Sequence, residues 1–285
     1  MKILITGAKG QLGKCIKDAA VNYPEFDFLF ATRELLNIES EESISEIFKN
    51  NQFDYCVNAA AYTNVEKAES DQENAFLTNA EGVKELAKHC KENNTTLIQI
   101  STDYVFDGKK GSPYTEEDKT NPLNVYGASK LKGEKYVKEI CKAYYILRTS
   151  WLYSQYGHNF YNTVLRFAKE GKPLTVTTEQ TGTPTNANDL AEAILAIIKS
   201  NSKKYGIYNF SNQGEATWYD FAKEILTQTN QLTESNLAKT DYYLTFAARP
   251  KYSVLDCKKY KSTNNNKTVN WLLSLKTLVI KTSLK

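Results

Sequence analysis

The 285-residue chain holds only two histidines, His89 and His158, and five cysteines, Cys15, Cys56, Cys90, Cys141 and Cys257. So few imidazoles argue against a histidine-based metal site. The cysteines are odd in number, widely spaced and without a C-x-x-C pair, which argues for reduced thiols rather than a disulfide framework or zinc site. Lys plus Arg exceed Asp plus Glu by only 36 − 33 = 3, with no basic cluster, so nucleic-acid binding by counterion release has no footprint. No stretch approaches the roughly 18 apolar residues of a membrane-crossing helix. The opening apolar run breaks at Thr6-Gly7, too early for a signal-peptide core. A cytoplasmic protein without a nucleic-acid or membrane partner is the expectation.

What remains is ordinary globular composition, 41% hydrophobic and 24% charged, with one excess: 19 Tyr and 12 Phe against one Met. That excess leaves open whether some tyrosines do chemistry. The length suggests about two domains at roughly 150 residues each, enough chain to bury a full core. No internal repeat is visible.

Short apolar runs at 2–6, 26–31, 54–58, 95–101 and 144–149 alternate with helical stretches at 11–21, 43–50, 71–92 and 125–141. Strands alternating with helices predict βαβ crossovers and a parallel sheet covered on both faces, a doubly wound Rossmann-type α/β fold. After Trp151 the alternation weakens into helices at 160–170, 187–200 and 218–228 and extended runs at 174–177 and 206–210. The polar segment 262–267 reads as a loop before a final apolar stretch at 269–280. The expected division is a sheet domain over 1–150, with 187–215 returning to it, and a smaller lobe from 151–186 and 216–285.

The first strand runs into Gly7-Ala8-Lys9-Gly10-Gln11-Leu12-Gly13, a G-x-x-G-x-x-G loop that opens a helix. Glycines permit a tight turn and let backbone amides approach a pyrophosphate. Three glycines in an ordinary loop is the plain alternative, and the position between strand and helix favours the dinucleotide. Near the second strand's end, Arg33 would meet a 2′-phosphate and favours NADPH, while Glu34 would serve NADH; both cofactors stay open.

Tyr126 and Lys130 fall at i and i+4, on one face of a helix. An ammonium beside a phenol lowers the phenol's pKa from near 10, which suits a general acid for carbonyl reduction. Alone, this pair is weak in a chain rich in tyrosine. It is joined by Thr102 in Ser101-Thr102-Asp103 at a strand end, where loops meet ligands, and by the small Asn58-Ala59-Ala60-Ala61 at another.

In this order the glycine loop, N-A-A-A, the threonine and Y-x-x-x-K resemble the extended short-chain dehydrogenase/reductase superfamily. Four segments are similar to the dTDP-4-dehydrorhamnose reductase family: 6–13, 58–69 (N-A-A-A-Y-T-N-V-E-K-A-E), 101–108 (S-T-D-Y-V-F-D-G) and 147–153 (L-R-T-S-W-L-Y). Gln180, Gly182 and Pro184-Thr185 follow the family's D-Q-x-G-x-P-T with Glu179 for Asp, and Arg249-Pro250 with Ser253 its R-P-x-x-S. The resemblance covers residues 1 to about 256.

It implies hydride delivery from a nicotinamide cofactor to C4 of dTDP-4-dehydro-6-deoxy-L-mannose, giving dTDP-L-rhamnose. Tyr126 would protonate the C4 oxygen, Lys130 would lower its pKa and hold the nicotinamide ribose, and Thr102 would orient the carbonyl. Asp103 and Tyr104 would contact the sugar, with Thr63, Val65 and Trp151 on the substrate side and Arg249 on the diphosphate. Gly7, Gly10, Gln11, Leu12, Ala60 and Ala61 would follow the cofactor, with Arg33, Asn37 and Ile38 at its adenine end. The smaller lobe would then bind substrate. Asn37 stands where the family often has Asp. Cys15 stands near where some members hold magnesium with an acid, so no metal is expected there. A homodimer stays open.

Trp151 has core packing as its plain alternative. Cys56 and Cys141 are expected to be buried, His89 to close a helix as a dipole partner, and Asp189 and Glu192 to sit on solvated helix faces. The rivals are a related nucleotide-sugar reductase or epimerase and a non-catalytic NADP-binding regulatory subunit on the same scaffold, as in methionine adenosyltransferase. A dehydratase would want extra acids beside Thr102, where this chain has Asp103 and then Tyr104.

Overall fold

The computed structural model describes residues 1–233, 236–263 and 267–283. Its centre is a six-stranded, wholly parallel sheet. From edge to edge the strands are Asp27–Phe30, Lys2–Thr6, Tyr55–Asn58, Thr96–Thr102, Tyr144–Thr149 and Gly206–Asn209.

The first strand shows why these runs are apolar throughout. Ile3 and Ile5 pack on one face with Leu12 and Ile16 of helix Gln11–Ala19 and with Leu190, Ile194 and Ile198 of helix Ala187–Ser200. Leu4 points to the other face, against Ile44, Phe48 and Leu86. Side chains alternate with period two, so a strand covered on both faces needs apolar residues at every position. The chain winds outward in both directions from Lys2–Thr6, which pairs with both Asp27–Phe30 and Tyr55–Asn58. That switch point opens a crevice at the carboxyl ends of the strands, where Gly7, Asn58–Ala61, Ser101–Asp103 and Thr149–Trp151 emerge.

Helix 43–50 starts earlier than expected, at Glu41, because Ser40 accepts from the Ser43 amide at 3.2 Å and two glutamates occupy the first turn. The expected helix 71–92 is one rod broken by a π-turn at Leu77–Glu81, between Gln72–Phe76 and Gly82–Glu92. Gly82 seats it against the 37–39 loop: a Cβ there would stand 2.6 Å from the Ile38 carbonyl oxygen.

Beyond Trp151 a second apolar core gathers Tyr153, Val164, Phe221 and Ile225 with Trp271, Leu275 and Leu278 of the helix Trp271–Ser283. The expected loop at 262–267 includes residues 264–266, which lie outside the described residues. Asp189 departs from its expected solvated position: its Oδ2 accepts from Asn212 at 2.6 Å and Ser274 at 2.5 Å, tying helix Ala187–Ser200 to the final helix. Glu192 is exposed and accepts from the Tyr23 hydroxyl. All five cysteines are buried and unbridged. His89 lies in the last turn of its helix and stacks on Phe48. No helix among the described residues is long and apolar enough to cross a membrane.

Candidate active site

The crevice is a cleft of about 600 Å³ that continues into a smaller recess of about 260 Å³. Lys9, Gly10 and Ala59–Ala61 border both. At its floor the glycine loop folds back on itself, Gly10 N donating to the Gly7 carbonyl at 2.8 Å. Gly7 has φ +63°, and a Cβ on it would lie 2.7 Å from the Ala60 nitrogen. A larger residue would push the loop off the strand end, so glycine is demanded here by conformation and space. The Thr6 hydroxyl donates to Asn58 Oδ1 at 2.6 Å, and Asn58 Nδ2 to Gln99 Oε1 at 2.8 Å, which locks the strand ends together under the cleft.

Gln11 and Leu12 line the larger cleft with Gly10, Ala60 and Ala61. The recess is bounded by Gly7, Arg33, Asn37 and Ile38. Arg33 donates to Glu39 at 2.5 Å and Lys9 pairs with Glu34 at 2.9 Å, so two exposed ion pairs rim this end. Glu39 also accepts from Thr78 of the π-turn. π-Turns concentrate at functional positions, and this one turns Thr78 into the recess.

Thr102, Asp103, Tyr126 and Lys130 line the same cleft. Asn124 caps helix Val125–Ile140 through the Gly127 amide at 2.8 Å, which places Tyr126 in its first turn. The Lys130 ammonium donates to the Ile100 carbonyl at 2.7 Å. Burial brings its pKa down to about 8, opposed by the charge of Glu134. Tyr126 departs from expectation: burial pushes its phenol up to about 12 against a hydrogen bond with Thr102, with the Asp103 charge adding to the rise. Desolvation sets the direction of the shift.

Thr102 Oγ1 donates to Asp103 Oδ1 at 3.1 Å and accepts from the Tyr104 amide. Asp103 is buried, which raises its carboxyl to about 7 against hydrogen bonds from Ser253 and Thr102.

Trp151 and Trp218 close the cleft's far side, their rings parallel at 3.6 Å. Trp151 has φ +45°, a costly backbone for a non-glycine residue. Gly182 lies directly beneath: a Cβ there would stand 2.5 Å from the indole. Trp151 lines the cleft and is only partly buried. Asn159 donates to Gln11 Oε1 at 2.6 Å, and Gln11 to the Leu152 carbonyl, so the 152–160 segment is stitched to the glycine loop.

Three expected substrate contacts stand outside the cleft lining. Val65 opens a short helix, Val65–Ala68, capped by Asn64, which turns it away from Thr63, and Thr63 does line the cleft. Tyr104 is buried beneath, its ring edge-on to Tyr126. Arg249 donates to Glu66 at 2.6 Å, an ion pair invisible at 183 residues' separation, and its Nε is buried without a partner among the described residues. Conversely, Thr78, His158, Asn159, Phe160 and Trp218 line the site and carry no sequence pattern that marks them.

The family model for the RmlD substrate binding domain matches residues 1–283. A curated dTDP-4-dehydrorhamnose reductase from Sinorhizobium fredii is 37% identical, over 98% of this chain and 97% of its own. The crystal structure of a dTDP-4-dehydrorhamnose reductase from Clostridium acetobutylicum has a TM-score of 0.93 at 37% identity, covering 99% of this chain and 100% of that one. That of the Bacillus anthracis dTDP-4-dehydrorhamnose reductase in complex with NADP has a TM-score of 0.94 at 35% identity, covering 98% and 99%. With the family model matching residues 1–283 and relatives this similar over nearly its whole length, the chain belongs to the dTDP-4-dehydrorhamnose reductase family.

Proposed function

We propose that the chain reduces the C4 keto group of dTDP-4-dehydro-6-deoxy-L-mannose to give dTDP-L-rhamnose, with NADPH or NADH as reductant. One observation carries the reading: Gly10, Gln11 and Leu12 of the glycine loop line a single cleft together with Thr102, Tyr126 and Lys130. The cradle fits a dinucleotide, since Gly7 and Gly10 border the recess beside the small Ala59–Ala61 without bulky side chains.

Gly7, Gly10, Gln11, Leu12, Ala60 and Ala61 would hold the cofactor, with Arg33, Asn37 and Ile38 at its adenine end. A bound reduced nicotinamide supplies the hydride. Thr102 orients the keto oxygen and Tyr126 gives it the phenolic proton, so that C4 gains a hydrogen, its oxygen becomes a hydroxyl and the phenol becomes a phenolate. A phenol near pKa 12 is fully protonated at neutral pH, and a sugar alkoxide is far more basic than a phenolate, so the transfer runs downhill. The Lys130 ammonium, with two protons to spare beyond its bond to Ile100, stabilises the phenolate and holds the nicotinamide ribose. Asp103, Thr63 and Trp151 would position the sugar. Arg249, its Nε free, is the candidate for the diphosphate.

The domain assignment follows from the same reading: residues 1–150 and 187–215 form the cofactor domain, and 151–186 with 216–285 the substrate lobe. A coupled assay tests the function. The 4-keto-6-deoxy-L-sugar nucleotide is generated, the protein and either NADPH or NADH are added, and nicotinamide absorbance and product are followed. No oxidation of either cofactor overturns the reading.

Two further outcomes are expected. Turnover falls as pH rises through about 8, because Lys130 then loses the proton that the phenolate needs. A pH–kcat profile flat to pH 10 would remove Lys130 from this role. Gly182→Ala forces Trp151 off its stack with Trp218, costing about 1–3 kcal/mol. It should raise KM for the sugar nucleotide several-fold and leave cofactor affinity within error. An unchanged KM would show that Trp151 does not touch substrate.

A further inference from the structure

Two consecutive residues near the end of strand Thr96–Thr102 grip different turns of helix Val125–Ile140, whose first turn carries Tyr126. Ile100 accepts from Lys130 at 2.7 Å and the Ser101 hydroxyl donates to Glu134 Oε1 at 2.6 Å. Of the three helix residues, Glu134 alone lies outside the cleft lining. It is nonetheless the most firmly held. Arg148 Nε donates to Oε1 at 2.9 Å and Nη2 to Oε2 at 2.7 Å, a bidentate fork between side chains only 3% and 2% exposed. Arg148 is the register partner of Ser101 on the neighbouring strand Tyr144–Thr149, and its guanidinium lies over the Phe106 ring at 5.2 Å. One carboxylate thus ties the helix to two adjacent strands.

A buried ion pair is a poor source of stability, because apolar residues of similar volume often serve as well. Its distinctive product is a single geometry, set by the planar fork. We propose that Glu134, locked by Arg148, is a positioning residue that fixes the rotation and register of this helix, so that Tyr126 and Lys130 meet Thr102 and Ile100. The proposal rests on the reading of Tyr126 and Lys130 as the proton-transfer pair. Glu134 also stands one turn beyond Lys130, and its charge opposes the loss of the lysine's proton that burial promotes.

The test uses the full chain. Glu134→Gln keeps the shape and removes the charge, and kcat should fall about tenfold or more as the helix shifts. The alkaline limb of the pH profile should move to lower pH, while cofactor affinity changes little. Because this variant strands a buried Arg148 charge, a second one, Glu134→Leu with Arg148→Met, removes both charges together. It should melt near the native temperature and still show the reduced kcat and the displaced limb. A readout independent of turnover is the Lys130 Cε resonance of cofactor-free protein, which should titrate at lower pH in both variants. A folded double variant with native kcat and a native pH limb would overturn the proposal, and so would an unmoved Lys130 titration. If the native chain oxidises no cofactor, the proposed reaction falls, and the Lys130 titration still decides whether Glu134 acts on the helix.

Discussion

Tyr126→Phe is expected to lower turnover by roughly 10²–10⁴-fold while leaving cofactor affinity nearly unchanged. The substitution deletes one oxygen and one proton. The ring stays edge-on to Tyr104 and the helix cap at Asn124 is untouched, so binding surfaces persist. What is lost is the group that gives its proton to the carbonyl oxygen. Fluorescence titration with NADPH alongside single-turnover rates separates the two effects. Full turnover in this variant would remove Tyr126 from proton transfer.

Gly127→Ala should be nearly as damaging, by a steric route. Alanine is favoured over glycine inside a helix by about 1 kcal/mol, so propensity alone predicts a stabilised protein. A Cβ on Gly127 would stand 2.2 Å from the Tyr104 carbonyl oxygen and 3.1 Å from Pro122 Cβ. The first atom is backbone and cannot rotate away. The helix must therefore lift from the 103–105 turn, at a cost of about 1–3 kcal/mol that outweighs the propensity gain. Tyr126, the neighbouring residue, moves with it, and a displacement near 1 Å is enough for about a hundredfold loss in kcat. Thermal melting and kcat should fall together. A variant that melts higher than the native chain and keeps its activity would show that the helix seat is looser than this contact implies.

Much of the fold is legible in the chain because period-two burial and helix amphipathicity are local. Ile3, Leu4 and Ile5 show a strand covered on both faces without any knowledge of what covers them. Glycine loops and Y-x-x-x-K are likewise short patterns whose spacing carries their geometry. Boundaries slip where a cap or a contact decides, as at Ser40 and at the π-turn. Just past the π-turn, Gly82 lies against the Ile38 carbonyl, a contact between residues 44 apart that no local pattern shows.

The substrate side was far less legible. Trp218 reaches the cleft only because helix Trp218–Gln228 folds back to lay its indole on Trp151. Arg249 reads as an unattached anion-binding arginine until Glu66 is found beside it. The tyrosine–lysine pair shows the same division. Its spacing places both groups on one helical face, and by that alone the phenol should become more acidic. Packing reverses the sign for Tyr126, because removing a phenolate from water costs more than the hydrogen bond with Thr102 returns.

The sequence by itself therefore determined the parallel sheet, the glycine loop between strand and helix, the proposed Thr102, Tyr126 and Lys130 cluster and the family. All of these rest on short-range periodicity and motif spacing. Only the tertiary structure decided which side chains share the cleft, which way burial moves their pKa values, and how Glu134 and Arg148 clamp the helix. Those depend on distances between residues far apart in the chain and on the exclusion of water, and neither exists until the chain has folded.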